Sequence, residues 1–348
     1  MWRSKYLVLF LLLIILAGVI FQKQLSTHLK IILFITEEFP QIPVKPLGLI
    51  TQSPQHEWVE FDPPAGGGKV VADLYIPHAA YVKDRSAVIL AMGVKTDEKN
   101  KTLIRHFADT MARLGYVVLW PRLEVLDKGQ SLPEEPATFV EGFKYLQNLC
   151  YFDLSSLRMQ GSNKQDSSSK LDSRLRGNDN CEVDTIRISF VGFSAGSSIA
   201  FVASSNPEIS DKVHALVFFG GYFNIFDYLA ALDGETPWIP HPDAVSHAKT
   251  LLVAKGVSSS SAQLNQYSPQ EFVSNFKARL FILHDKSDTF VPYLESEKLS
   301  QALPKESIGA YAITDLFEHV QPNRALTREN IQELFKLYNF LYKTLIFI

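Results

Sequence analysis

The sequence predicts an α/β fold: a doubly wound, mostly parallel sheet with a small helical cap, plus an N-terminal membrane-anchor helix. Three observations carry the prediction. Short apolar runs alternate with helical patterns of ten to seventeen residues, the order that parallel strands and crossover helices require. The uncharged run "YLVLFLLLIILAGVIF" (Tyr6–Phe21) stands apart at the amino end. The 348 residues are 46% hydrophobic and 20% charged, enough apolar material for one large domain with an appendage.

Residues 1–25 are read as the transmembrane anchor. Trp2 to Phe21 reaches about 30 Å as a helix, the depth of a bilayer core. A cleaved signal peptide is the competing reading, but Ala17 and Gly18 lead into bulky Ile20 and Phe21, a poor cleavage site. Arg3 and Lys5 place the amino end inside, so the main domain is expected outside the cytoplasm, in the periplasm, on a single-pass tether. Residues 26–55 read as a membrane-proximal segment and Pro-rich linker: "LKIILFI" (Leu29–Ile35) suits an interfacial helix, and "FPQIPVKPLG" ends it.

The main domain is expected over 56–348. "EWVEF" and "KVVADLYI" form an antiparallel pair around "DPPAGGG", whose glycine spacing and following Lys69-Val70 do not fit a phosphate loop. "SAVILAM" (86–92) is a buried strand, 101–114 a helix closed by Gly115, and "YVVLWP" (116–121) the next strand. A helix over 134–150, strand 185–191, helix 194–205, strands 214–220, 279–284 and 310–314, and a helix over 327–343 complete the order. Residues 222–275 read as a cap. Residues 160–184 are a polar insertion without a core-forming face, expected to be a disordered loop. Its "LDSRLRGND" resembles translated dispersed repeats of some bacterial genomes. Cys150 and Cys181 flank the insertion; a pair there closes a loop of about thirty residues, but a buried helix cysteine and a free thiol are the favoured reading.

A net charge of −3 with no basic run gives no reason to expect nucleic acid. Nine scattered histidines and two cysteines show no metal-ligand spacing, and no cofactor motif is present, so no metal or cofactor is expected. The chemistry sits in "FVGFSAGSS" (190–198). Ser194, between Gly192 and Gly196, directly follows an apolar strand and opens a helix of small residues. A sharp strand–turn–helix presents such a serine at the carboxyl edge of the sheet, with a helix N-terminus behind it to favour developing negative charge. A serine hydroxyl needs a base oriented by a carboxylate. "LHDKSDTFVP" offers Asp288 just past a strand, with Asp285 as rival, and "DLFEHVQP" offers His319, with His284 as the nearest rival base and more a structural residue.

"GFSAG", "LHDKSDTFVP" and "FEHVQP" together resemble the three catalytic segments of the α/β-hydrolase superfamily, nearest its dienelactone-hydrolase-like and prolyl-oligopeptidase-like branches, over roughly residues 56 to 348. The resemblance implies a serine hydrolase with Ser194 as nucleophile, Asp288 as orienting acid and His319 as general base. It also implies an oxyanion hole from the backbone N–H groups of Val94 and Ala195. Relatives often carry His-Gly where this chain has Met92-Gly93, and dienelactone hydrolases use cysteine where this chain has Ser194.

Met92, Tyr222, Phe223 and Trp238 are candidates for an apolar acyl pocket, with Phe226 and Tyr228 beside them; the cap's own packing is the equal alternative. A small-molecule or lipid-like carboxylic ester is the expected substrate. The alternatives are a lipase, thioesterase or acyltransferase on membrane lipid, or a binding protein that has lost catalysis. Oligomeric state is not legible.

Overall fold

The computed structural model describes residues 22–62, 69–78, 86–93, 98–122, 135–149, 187–246, 248, 262–322, 324, 327 and 330–348. Most of the expected anchor, the polar insertion 160–184, Cys150, Cys181 and Val94 lie outside them. Among the described residues no helix is long and apolar enough to cross a membrane.

The described elements, in chain order, are α1 (Gln22–Glu38), α2 (Leu47–Ile50), β1 (Gln55–Phe61), β2 (Val70–Ile76), β3 (Ser86–Ala91) and α3 (Glu98–Arg113). There follow β4 (Val117–Pro121), α4 (Glu135–Asn148), β5 (Arg187–Phe193), α5 (Ala195–Ser204), β6 (Val213–Phe219) and α6 (Ile225–Leu232). The last are β7 (Arg279–Asp285), α7 (Leu294–Ala302), β8 (Ile308–Thr314) and α8 (Ile331–Phe347). One eight-stranded sheet runs in the order β1-β2-β4-β3-β5-β6-β7-β8. β1, β2 and β4 pair antiparallel, and from β4 to β8 every pairing is parallel.

The strand sequences explain the layering. "SAVILA" is buried at every position, as a central parallel strand covered on both faces requires. One face packs Ile89, Leu119, Phe190 and Phe218 against Phe139 and Phe143 of α4 and Phe201 of α5. The other packs Val88, Leu90, Val118 and Phe281 against α1, α3 and α8. At the β1–β2 edge the fully buried Asp73 accepts from Arg122 (Nη2 at 2.8 Å), His56 (2.7 Å) and Trp58 (3.2 Å), so its charge is paired where burial alone would disfavour it.

The stretch 26–55, expected as a membrane-proximal linker, instead supplies a helix to the domain itself. α1 buries Ile31, Leu33 and Ile35 within the second core, and Phe39 joins them just past its end. His28 hydrogen-bonds Tyr338 and stacks on Tyr342 of α8, and Phe34 meets Phe107 of α3 edge-on. Lys45 caps α1 by donating to the carbonyls of Thr36, Glu37 and Phe39 at 2.8, 2.8 and 2.9 Å. The apolar run suits a lipid surface and a protein surface equally, and here α8 and α3 take it up.

The direction of α1 fixes where Gln22 lies. Lys30 lies over the ring of Tyr116, just before β4 begins. Antiparallel to α1, α8 ends where the Phe347 carbonyl accepts from His214 on β6 and Arg187 at the start of β5. Gln22 therefore emerges at the amino-terminal edge of the parallel strands, opposite the edge that carries Ser194.

Candidate active site

β5 is buried from Ile188 to Gly192, and after Phe193 the chain reverses into α5. Ser194 makes that reversal at φ 56°, ψ −140°, a conformation costing a residue with a side chain on the order of 1–3 kcal/mol. The surrounding contacts hold it there. The Ser194 amide donates to the Phe219 carbonyl at 2.8 Å, and its own carbonyl accepts from Ser197 at 2.9 Å. The flanking glycines are demanded by space: a Cβ on Gly192 would lie 2.4 Å from Ser197 Cα, and one on Gly196 would lie 2.4 Å from the Ala91 carbonyl oxygen.

The small residues of α5 also have a purpose that their composition did not disclose. Ser197 Oγ donates to the Phe219 carbonyl and accepts from the Phe219 amide, both at 3.0 Å. Ser198 Oγ donates to the Tyr222 carbonyl at 2.6 Å. Together they rivet the first turn of α5 to the end of β6.

β7 leads into the loop of the expected acid. Asp288 lies in the loop beyond it with a fully buried side chain, and its Oδ2 stands 2.7 Å from His319 Nδ1. Its Oδ1 accepts from the amides of Phe290 (2.7 Å) and Val291 (3.0 Å). Burial works against its charge, but His319 and His284, by charge and hydrogen bond, outweigh burial and hold the carboxyl well below the usual carboxylate range. The rival Asp285 is spent elsewhere: it accepts from the amides of Ser287, Leu316 and Phe317, and burial pushes its carboxyl up. Those bonds tie the β8 exit, and so the His319 loop, to the end of β7.

His319 sits in a turn pinched by paired backbone bonds between Glu318 and Gln321, with φ 59°. The Phe290 ring stacks on the imidazole at 4.9 Å. Because the Asp288 carboxylate only accepts, Nδ1 carries the hydrogen, and Nε2 is the nitrogen with a lone pair. Ser194 and His319 converge on one backbone step. Ser194 bonds Phe219, and a Cβ on the next residue, Gly220, would lie 3.7 Å from His319 Cε1.

Gly93 passes directly against Ser194, for a Cβ there would be 2.9 Å from Ser194 Cβ and 3.4 Å from the Ala195 nitrogen. Val94, the expected second oxyanion donor, follows it outside the described residues. Of the expected pocket residues, Tyr222 stacks on Tyr228 within a cap cluster that touches Ala195 and Phe290. Trp238 belongs to the same cluster and donates its indole N–H to the Asp288 carbonyl at 2.7 Å, bracing the acid loop. Phe223 is a correction: its ring packs in the main core, not in the cap, and its amide donates to buried Glu295 at 3.0 Å. Met92 packs at the margin of the α1-side core.

Known proteins share this architecture. The model of BD-FAE, an α/β-hydrolase family, matches residues 175–303, which hold Ser194 and Asp288 but not His319. Among solved structures, the chain is similar to the Pyrococcus horikoshii acylaminoacyl peptidase at 14% identity and a TM-score of 0.54, over 85% of this chain and 42% of that one. It is also similar to a Mycobacterium tuberculosis puromycin-hydrolyzing peptidase at 16% identity and a TM-score of 0.52, over 85% and 40%. The chain thus spans about two-fifths of the length of these structural relatives. Among curated proteins, none matches the sequence. Strand order, the strained serine turn and the likeness to these structures together show an α/β-hydrolase fold, and residues 175–303 match the BD-FAE family.

Proposed function

We propose that the chain is a membrane-tethered serine hydrolase acting on carboxylic esters through an acyl-serine intermediate. The observation that carries this reading is the 2.7 Å contact between His319 and the buried Asp288, set beside a serine held at positive φ. His319 Nε2 takes the proton as Ser194 Oγ attacks the ester carbonyl. The tetrahedral oxyanion is met by the N–H of Ala195 at the N-terminus of α5, with the N–H of Val94 as the expected second donor. Its collapse breaks the ester C–O bond, and His319 returns the proton to the departing alcohol. Water then attacks the acyl-serine, giving up a proton to His319, and the acid and free Ser194 are released.

The placement of α1 supports a water-borne ester over a bilayer lipid. α1, which follows the uncharged run Tyr6–Phe21 in the sequence, begins at the edge of the sheet opposite Ser194. β5 alone separates the two edges by roughly 20 Å at 3.3 Å per residue. A domain tethered there directs its site away from the lipid. The cap cluster beside Ala195 and Phe290 suits a modest apolar acyl group.

The test is a substrate panel on the full chain in detergent or vesicles: short p-nitrophenyl esters, long-chain esters, aminoacyl anilides and phospholipid vesicles. Turnover greatest on short soluble esters is expected. Preference for vesicle lipid would favour a lipase, preference for anilides a peptidase, and no turnover by folded protein a binding role.

A further inference from the structure

His284 is a second histidine against the candidate acid, Asp288. It stands at the end of β7, is fully buried, and has all its polar atoms engaged. Nδ1 lies 2.6 Å from Ser296 Oγ on α7. Nε2 lies 3.1 Å from the Val291 carbonyl and 3.3 Å from Asp288 Oδ2. A carbonyl and a carboxylate only accept, so Nε2 carries the hydrogen and is shared between them. Nδ1 then accepts from the Ser296 hydroxyl. With Nε2 carrying the hydrogen, the ring satisfies all of these contacts at once.

The oxygen that His284 reaches is the same Oδ2 that faces His319. We propose, on the reading of Ser194, Asp288 and His319 as a triad, that His284 is a positioning residue for it. Its N–H fixes Oδ2 toward His319 and draws part of the carboxylate charge away from that ring. With His284 in place, Oδ2 stays aligned on His319 Nδ1 with less of its charge turned on that ring, so both the rate and the pH profile of the reaction depend on this contact.

The surroundings leave this effect to His284. Beyond Ser296 and the Val291 carbonyl, the charged partner is Asp288, with His319 across it. Tyr228 also faces Asp288, and burial and that carboxylate keep its hydroxyl protonated. Asp285 and Arg324 belong to the opposite side of the β7 end, since successive strand residues alternate. Glu295, next to Ser296, is paired with Lys298.

The test is the pH dependence of phosphonylation by a fluorophosphonate in excess over the full chain, where the rate constant does not depend on how much of the protein is folded. His284→Asn keeps an acceptor for Ser296 but loses the donor to Asp288. His284→Gln can place an N–H where Nε2 stands. In His284→Asn the acidic limb is expected to move up by about one pH unit, and in His284→Gln to stay near the parent's. With an ester substrate, the asparagine change is expected to lower kcat with KM little altered. If His284→Asn yields no folded protein, Ser296→Ala, which frees the ring to turn, is expected to move the limb in the same direction by less. A limb unmoved in every folded variant overturns the proposal. A parent chain that is folded and unlabelled overturns the triad reading instead.

Discussion

Replacing Gly196 by alanine adds one methyl group at the point where the nucleophile turn meets the end of β3. That Cβ would sit 2.4 Å from both the Ala91 carbonyl oxygen and the Met92 carbonyl carbon, so all the crowding is against backbone. Opening these contacts even to 3.0 Å requires about 0.6 Å of relative motion. The segment that must move continues through Gly93, which abuts Ser194, to Val94, so the shift falls on the expected oxyanion donor. Misplacement on the order of 1 Å costs about a hundredfold, and loss of one donor about 10²–10³-fold. Stability responds less, because alanine favours a helix by up to about 1 kcal/mol over glycine while overpacking costs about 1–3 kcal/mol. Ester turnover and thermal unfolding measured together separate the two effects. The expected result is a fall in kcat of at least a hundredfold with a melting temperature lowered by only a few degrees. A variant with parental kcat and a raised melting temperature would refute the proposed fit between α5 and the Met92–Gly93 strand exit.

Four further outcomes follow from the same contacts. Removing residues 1–21 is expected to leave the fold intact, whereas removing 1–40 strips four buried apolar side chains worth roughly 6–12 kcal/mol, comparable to a domain's whole stability; expression and circular dichroism of the two truncations check this. Asp288 is held low in the folded chain, so its charge stabilises fully above the unfolded value near 3.8 and loses that contribution as pH falls toward the folded value. The stability gap between parent and Asp288→Asn should therefore narrow from pH 5 to pH 3 in denaturant melts, and a constant gap would contradict it. Asp73→Ala leaves Arg122 and His56 without their buried acceptor and is expected to cost about 2–3 kcal/mol by urea unfolding, with kcat unchanged in the folded fraction. Trp238→Phe removes the N–H that braces the Asp288 carbonyl and is expected to cost about 1 kcal/mol of stability in the same unfolding assay, and to slow ester turnover more than it alters KM.

Much of this was legible in the residues because period and punctuation agree. Strands such as "SAVILA" and "RISFVGF" are short and predominantly apolar, and every strand from β1 to β8 falls within a few residues of its expected place. The serine turn was legible because Gly192 and Gly196 mark close approach, and the structure gives each a backbone atom at 2.4 Å. Asp288 and Asp285 could not be separated by pattern with the same force. Both follow β7, and only tertiary contact shows one meeting His319 and the other meeting three backbone amides. α1 misled because "LKIILFI" is amphipathic in a way that fits lipid or α8 equally, and periodicity does not name the partner. Phe223 misled for the same reason: an aromatic beside the site has two faces to choose from, and its ring turns to the sheet core. Ser197, Ser198 and His284 looked like small or strand-end residues; their contribution lies in hydrogen bonds across elements that sequence neighbours do not reveal.

The most direct test is labelling of the full chain by a fluorophosphonate, with the modified residue located by peptide mass spectrometry. The expected result is a single adduct on Ser194, lost in Ser194→Ala and strongly slowed in His319→Ala. Folded protein that takes no label, or takes it equally with Ser194 replaced, would contradict the assignment of an activated serine at this turn.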